Sequence, residues 1–381
     1  MTQKVQLGQC SQHSDLRNVA IISSQSTRFS KNSDLSLFEL ACQPCIDILK
    51  SSTIYKNNIE ALLFSSCSAE QYSSSILCEL LGIKPKISHR INNLCNSGTN
   101  AVVSAFCYIS AGLCDSALVV GAEKANSPGN RLTWDTTRGS FSYPVHWAAL
   151  FAKAHMRRYG TTEEQMAMIS VKNHMNAEKN PNALFNEAVT LEDVMHSKSI
   201  VSPLKLLDCS VSCEGSSAVL LLAEDQAKKL TETPVWIKGI GQQTNCASFS
   251  KMTDDLCGIE TARIAAKAAY DMADVTPSQV DVVELHDAFT ILEILAYEDL
   301  GFVAKGEGGK FVNQKEVAIN PRGGILGCGH PVGATGVAQT AEIAAQLSGK
   351  ANKRQVERCH IGLVHNLAAA GTSSTVIVLG V

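Results

Sequence analysis

Asn92-Asn93-Leu94-Cys95-Asn96-Ser97-Gly98-Thr99-Asn100-Ala101 is the stretch from which the fold is read. These small and polar residues lead into apolar positions at helical spacing (Val102, Val103, Phe106, Ile109); Gly112 ends the run, and residues 116–121 form a buried-strand pattern. Cys95 therefore lies at or beside a helix N-terminus, where unpaired N–H groups and the positive end of the helix dipole stabilise a thiolate. This predicts a nucleophilic thiol with a pKa lowered from the ordinary ~8.5. Taken alone, the segment reads more readily as a helix holding a buried structural cysteine.

Outward from this segment the alternation of strand and helix continues. Before it, strands are read at 18–22 and 61–64 and helices at 36–51 and 70–81. After it comes a polar, loop-rich stretch, 123–210, read as an insertion capping the active site, and then a strand at 216–223. Beyond a polar connector at 224–234 follow strand 235–240, helix 258–273, strand 280–284, helix 288–300, a glycine-rich loop with its helix to about Ser348, and strands 359–364 and 374–379. The pattern predicts a layered α/β architecture built on a parallel sheet. Three regions are expected: an extension at 1–17, a first half at 18–233 that carries the insertion, and a second half at 234–381. Each half places a cluster of interest at a strand-to-helix turn, which suggests a duplicated architecture without a visible sequence repeat.

Two histidines stand out in the second half. His330 lies in Gly323-Gly324-Ile325-Leu326-Gly327-Cys328-Gly329-His330-Pro331-Val332-Gly333-Ala334-Thr335-Gly336, whose six glycines permit close backbone approach around one imidazole. A histidine held in this way is a candidate general base for a thiol. His286, in Glu284-Leu285-His286-Asp287-Ala288-Phe289-Thr290, falls at a strand-to-helix turn, where catalytic groups of α/β folds tend to lie.

Composition narrows the function classes. With 33 basic and 36 acidic residues the net charge is −3, and no run of either sign is long, so neither nucleic acid nor an anionic membrane is an expected partner. No apolar run approaches the ~18 residues of a membrane span. Fourteen cysteines, with no signal-like segment at 1–17, point to a reducing compartment, the cytoplasm by default. Cys42-x-x-Cys45 and Cys209-x3-Cys213 lack a following Cys/His set at zinc spacing, so no metal is expected. His146, in Tyr143-Pro144-Val145-His146, reads as a surface-loop residue.

The Cys95 segment, the run from Leu285 to Phe302 and Gly329–Gly336 together resemble the thiolase superfamily, closest to its sterol-carrier-protein-type branch. The resemblance runs from about Asn18 to Val381 and includes Tyr159–Gln165 and Ser202–Asp208. It implies two similar five-stranded αβαβα halves with an inserted loop domain, assembled as a homodimer or homotetramer. The activity implied is an acyl-CoA C-acyltransferase that forms or cleaves 3-oxoacyl-CoA, with CoA thioesters as substrates and no permanently bound cofactor. Carried over residue by residue, Cys95 is the acyl-accepting nucleophile, His330 its base, and His286 a donor to the thioester oxygen. A second oxyanion site is implied at the backbone N–H groups of Cys95 and Ala368.

The sequence departs from that pattern at the second proton shuttle. Asn366 stands where the degradative and biosynthetic branches carry a late cysteine, and Ala288 where the sterol-carrier-type branch often carries one. An asparagine amide does not titrate near neutrality. Three explanations stay open: Cys328 or His365 supplies the proton; the substrate needs none, as in relatives acting beside a small OB-fold partner protein or in condensing complexes; or the chain is a carbon–carbon lyase or a non-catalytic acyl-CoA-binding or assembly protein. Glu214 replaces a more usual aspartate and keeps its charge.

Overall fold

The computed structural model describes residues 16–381 apart from 53, 55, 68–70, 125–140, 142, 253–254, 313 and 315. Most of the expected extension at 1–17 and part of the expected insertion therefore lie outside the described residues.

The first half runs β1 (Val19–Ser26), α1 (Leu37–Ser51), β2 (Ala61–Ser65), α2 (Ser73–Leu81), β3 (Ile87–Ile91), α3 (Ser97–Ser110) and β4 (Ser116–Glu123). The chain then leaves the sheet for α4 (Pro144–Tyr159), α5 (Glu163–Ala177), α6 (Leu191–His196) and the small hairpin β5 (Ser199–Val201) and β6 (Leu204–Lys205). It returns through β7 (Gly215–Ala223) and α7 (Glu224–Leu230). The second half runs β8 (Val235–Thr244), α8 (Phe249–Met252), α9 (Glu260–Ala273), β9 (Val282–Glu284), α10 (Thr290–Asp299) and α11 (Gly308–Phe311). It ends with β10 (Ala318–Ile319), α12 (Gly324–Cys328), α13 (Val332–Leu347), β11 (Ile361–Ala368) and β12 (Ser373–Gly380).

The main sheet is ordered β10-β9-β11-β12-β8-β1-β7-β4-β2-β3. Numbered within its own half, each set of five strands has the order 3-2-4-5-1, and the sets join where β1 meets β8 through Ala20↔Trp236 and Ile21↔Val235. The sheet is mixed, not parallel as the alternation predicts. β2 pairs in parallel with β3 and β4, but β7 runs antiparallel to β4 and β1, and β12 antiparallel to β11 and β8. β11 and β12 are joined by a turn at 369–372, too short for the crossover a parallel pair needs.

Side-chain alternation builds the layers. In β2, Ala61 and Leu63 face one core while Leu62 and Phe64 face another. The first of these cores is shared by both halves, since Val102 and Ile109 of α3 and Val337 and Ile343 of α13 pack there with Val282, Val364 and Ile377. The helices α3 and α13 thus form a middle layer, with α1 and α2 over the outer face of the first half and α9 and α10 over that of the second. A Cβ on Gly98 would lie 2.6 Å from the Val337 nitrogen and 2.9 Å from the Gly336 Cα, so glycine is required where the two middle helices touch.

The insertion differs from its loop-rich reading. α4 begins with Pro144 at its first turn, and α5 is closed by a reciprocal cap between Thr162 and Gln165. Its helical period is masked because Ser170, Asn173 and His174 are buried where apolar residues signal a core face. The outermost strands, β3 and β10, are also absent from the sequence reading. β3 carries Ser88, His89 and Arg90 on a half-buried edge, and β10 is two residues long.

Candidate active site

The turn between β3 and α3 presents Cys95. Leu94 takes φ +50°, a left-handed conformation that turns the chain sharply ahead of the helix. Ser97 accepts a hydrogen bond from the Asn93 N–H at 2.7 Å and donates to the Leu94 carbonyl at 2.6 Å, closing the turn. α3 begins at Ser97, so Cys95 precedes its first turn, and the backbone N–H groups of Cys95 and Ala369 are aimed at its sulfur. The resemblance implied the Ala368 N–H as an oxyanion donor, a separate role. The left-handed turn residue Ala369, at φ +51°, is the one whose N–H faces the sulfur.

His330 Nε2 lies 3.1 Å from Cys95 Sγ, across 235 positions of sequence. Its Nδ1 is 2.8 Å from Thr335 Oγ1, and that hydroxyl donates its one proton to the Pro331 carbonyl at 3.1 Å. Thr335 must then accept from Nδ1–H, which leaves the Nε2 lone pair facing the thiol. This is the tautomer a general base needs. The backbone of His330 is fixed by the segment returning from the insertion: its N–H donates to the Val211 carbonyl at 2.8 Å, and its carbonyl accepts from Cys213 N–H at 3.4 Å.

Glu123, at the end of β4, accepts hydrogen bonds from Gly333 N–H at the start of α13 and from Cys67 N–H. Asp287 holds the other side of the loop, accepting from the N–H groups of Ile325 and Leu326 and from Asn173 Nδ2. Both carboxylates cap helix starts around His330.

His286 is 2% exposed and sits edge-on to His330, with ring centroids 5.5 Å apart. Burial holds its pKa well below the ordinary value, aided by His330, while the Asn366 amide beside it acts in the opposite direction. Asn366 is oriented by Gln339: the Gln339 NH2 donates to the Leu285 carbonyl at 2.8 Å, so its oxygen accepts from Asn366 Nδ2 at 2.5 Å. Burial pushes His330 down to about 4, so its imidazole is neutral at physiological pH.

The expected lowering of the Cys95 pKa is overturned. Burial pushes this thiol up to about 12, outweighing the two backbone N–H groups, and the nearby Glu123 charge adds to the rise. The resting pair is therefore neutral thiol and neutral imidazole, and the proton has to move as the sulfur attacks.

Two residues expected as acid/base candidates are not brought to the thiol. Cys328 is fully buried, donates to the Arg322 carbonyl at 2.9 Å and packs with Phe29, Ala177 and Cys213. His365 precedes Asn366 on β11 and so faces the opposite side of the sheet, with Leu363 and Leu367, where burial pushes it down to about 4. Glu214 is structural, pairing with Lys124 and accepting from Ser33 N–H at 2.7 Å. His146 is in the first turn of α4, its ring within 3.2 Å of the Tyr143 carbonyl. Thr335, Gln339 and Ala369 were missed in the sequence. Thr335 alone carried a signal, a hydroxyl five residues beyond His330 within the same glycine-rich run.

Comparison with known proteins agrees with this constellation. The family described as "Thiolase, N-terminal domain" matches residues 19–225, and "Thiolase C-terminal domain-like" matches 241–381. The chain belongs to the thiolase family.

This thiolase-family chain is 36% identical to an acetyl-CoA acetyltransferase of Methanothermobacter thermautotrophicus, over 95% of its own length and 99% of the relative's. It is 33% identical to sterol carrier protein 2 of Bos taurus, where the match covers 74% of this chain and 56% of that protein. Among solved structures, "Ltp2-ChsH2(DUF35) aldolase" superposes with a TM-score of 0.85 at 26% identity, covering 95% of this chain and 97% of the other. The two similar halves and the middle pair of helices are thus those of the thiolase fold. Among the described residues, no helix is long and apolar enough to cross a membrane.

Proposed function

We propose that this thiolase-family chain is an acyl-CoA C-acyltransferase working through an acyl-cysteine. The observation that carries the reading is the 3.1 Å contact between Cys95 Sγ and the unprotonated Nε2 of His330. In the first half-reaction Cys95 sulfur attacks the acyl carbonyl of an acyl-CoA while His330 takes the thiol proton. The carbon–sulfur bond to CoA breaks, and the proton passes to the departing CoA sulfur. In the second, the deprotonated α-carbon of another acyl-CoA attacks the acyl carbonyl, the carbon–sulfur bond to Cys95 breaks, and the α-proton ends on the released Cys95 thiolate. In the cleavage direction these steps reverse: Cys95 attacks the 3-oxo carbonyl, the C2–C3 bond breaks with the proton going to the departing α-carbon, and a CoA thiol then takes the acyl group. Splitting one difficult transfer into two suits a thiol, because substrate and intermediate are both thioesters. Oxyanion stabilisation is assigned to the N–H groups of Cys95 and Ala369 in one step and to His286 in the other, joined by His330 only while its Nε2 carries the proton, each donor contributing about 3 kcal/mol.

A second reading is favoured by a specific feature, the amide of Asn366 and the methyl of Ala288 where a second thiol is usual. Here the chain is the catalytic subunit of a condensing enzyme or carbon–carbon lyase that needs a small OB-fold partner. The solved complex at TM-score 0.85 bears the words DUF35 and aldolase in its description, which supports this second reading. A subunit of either kind acts on CoA esters, and a homodimer or homotetramer remains the expected assembly.

Consumption of a 3-oxoacyl-CoA by the purified chain with free CoA separates the two. Turnover by the isolated chain supports the acyltransferase. Turnover that appears only on adding a small OB-fold protein, or cleavage of a 3-hydroxyacyl-CoA without free CoA, supports the second reading.

A further inference from the structure

Cys95, His286 and His330 come from three distant segments, yet each offers one ligand atom, and the three atoms lie within 4.8 Å of one another. We propose that these residues form a binding site for a thiophilic divalent cation, Zn2+ above all, which reversibly blocks the nucleophile.

The donor set, one thiolate and two imidazoles, matches the combination that soft and borderline cations select over hard ones. Tetrahedral zinc, with Zn–S near ~2.3 Å and Zn–N near ~2.0 Å, holds its S and N ligand atoms about 3.6 Å apart and its two N atoms about 3.3 Å apart. Cys95 Sγ and His330 Nε2 are already 3.1 Å apart, and no two of the three ligand atoms are more than 4.8 Å apart, within about 1.5 Å of those separations. His330 is arranged as a metal-ligating histidine is, since Nδ1–H donates to Thr335 Oγ1 at 2.8 Å and leaves Nε2 as the ligand atom. Cys95 is partly exposed while His286 and His330 are buried, so a cation would approach from the Cys95 side. On binding, the cation replaces the Cys95 thiol proton, which goes to solvent, and no redox change occurs. Sequence spacing does not show such a site, because the cysteine pairs visible in the chain, Cys42/Cys45 and Cys209/Cys213, are not among its members.

The binding geometry stands without the acyl-transfer reading; only its consequence, inhibition, rests on it. Two measurements on the purified full chain test the site without any acyl substrate. In the first, iodoacetamide labelling of the Cys95 peptide is followed with and without Zn2+, using the exposed Cys107 and Cys246 as internal references. Zn2+ is expected to slow Cys95 labelling at least about tenfold relative to the references, with a chelator restoring it. In the second, Co2+ is expected to give a thiolate-to-cobalt charge-transfer band that disappears in Cys95→Ser and weakens in His286→Ala. Unchanged Cys95 labelling in saturating Zn2+, or a cobalt band that survives Cys95→Ser, overturns the proposal. Because acylation is measured separately by mass, failure of the metal site leaves the acyltransferase reading intact, and the converse also holds.

Discussion

At the scale of residues, the chemistry depends on a neutral pair. Cys95 is pushed up to about 12 and His330 down to about 4, both mainly by burial, so between those values the base is free and the thiol protonated. A histidine pKa lowered in the folded chain moves loss of the base to lower pH: as pH falls, Nε2 stays unprotonated through the ordinary histidine range near ~6.5 and is captured only near its lowered value. The acylation rate is therefore expected to stay level from about pH 8 down to about 5 and to fall as pH approaches about 4. An acid limb centred between about 6 and 7 in the pH–rate profile would show that His330 is not desolvated as described. Thr335 supports this pair by fixing the tautomer. Thr335→Val is expected to slow Cys95 acylation about 10- to 100-fold, with Thr335→Ser restoring most of the rate because its hydroxyl is kept. Equal losses in both variants would assign Thr335 a packing role alone. The cysteine and both histidines were legible in the sequence because each sits in a run of unusual composition. Ala369 was not, since a backbone N–H carries no side-chain signature, and the direction of the Cys95 shift depends on burial that spacing does not reveal.

At the scale of elements, the contact between α3 and α13 positions the site, because Cys95 precedes one helix and His330 precedes the other. Gly98 and Gly336 allow the backbones to touch, and the atoms a new methyl on Gly98 would meet are main-chain atoms that cannot rotate away. Gly98→Ala is expected to destabilise the fold by about 1–3 kcal/mol, the usual range for overpacking, read as a lower urea midpoint. An unchanged midpoint would mean that the middle helices are not held in this close contact. The elements that sequence missed share a physical cause. Edge strands such as β3 are only half covered and need no strong apolar alternation, and α5 buries amide, hydroxyl and imidazole groups that interrupt its helical period. Central strands such as β2, β4 and β7, buried along their whole length, were plain in the sequence for the opposite reason.

At the scale of the whole molecule, two halves with the same 3-2-4-5-1 strand order place their middle helices side by side, and the site spans the seam. The first half supplies Cys95 and Glu123, the second His286, His330 and Asn366, and the segment returning from the insertion fixes the His330 backbone. Neither half holds a complete site. The duplication was readable from the recurrence of clusters at strand-to-helix turns, but the mixed sheet was not, because strand direction follows from connections whose crossing is set in three dimensions. The central claim, that Cys95 carries an acyl group with His330 as its base, is tested most directly by intact-protein mass after incubation with acetyl-CoA and with a longer acyl-CoA. The account predicts an acyl adduct on the native chain, none on Cys95→Ala, and slow formation on His330→Ala. An adduct of equal yield on Cys95→Ala, or none on the native chain with either donor, would contradict it.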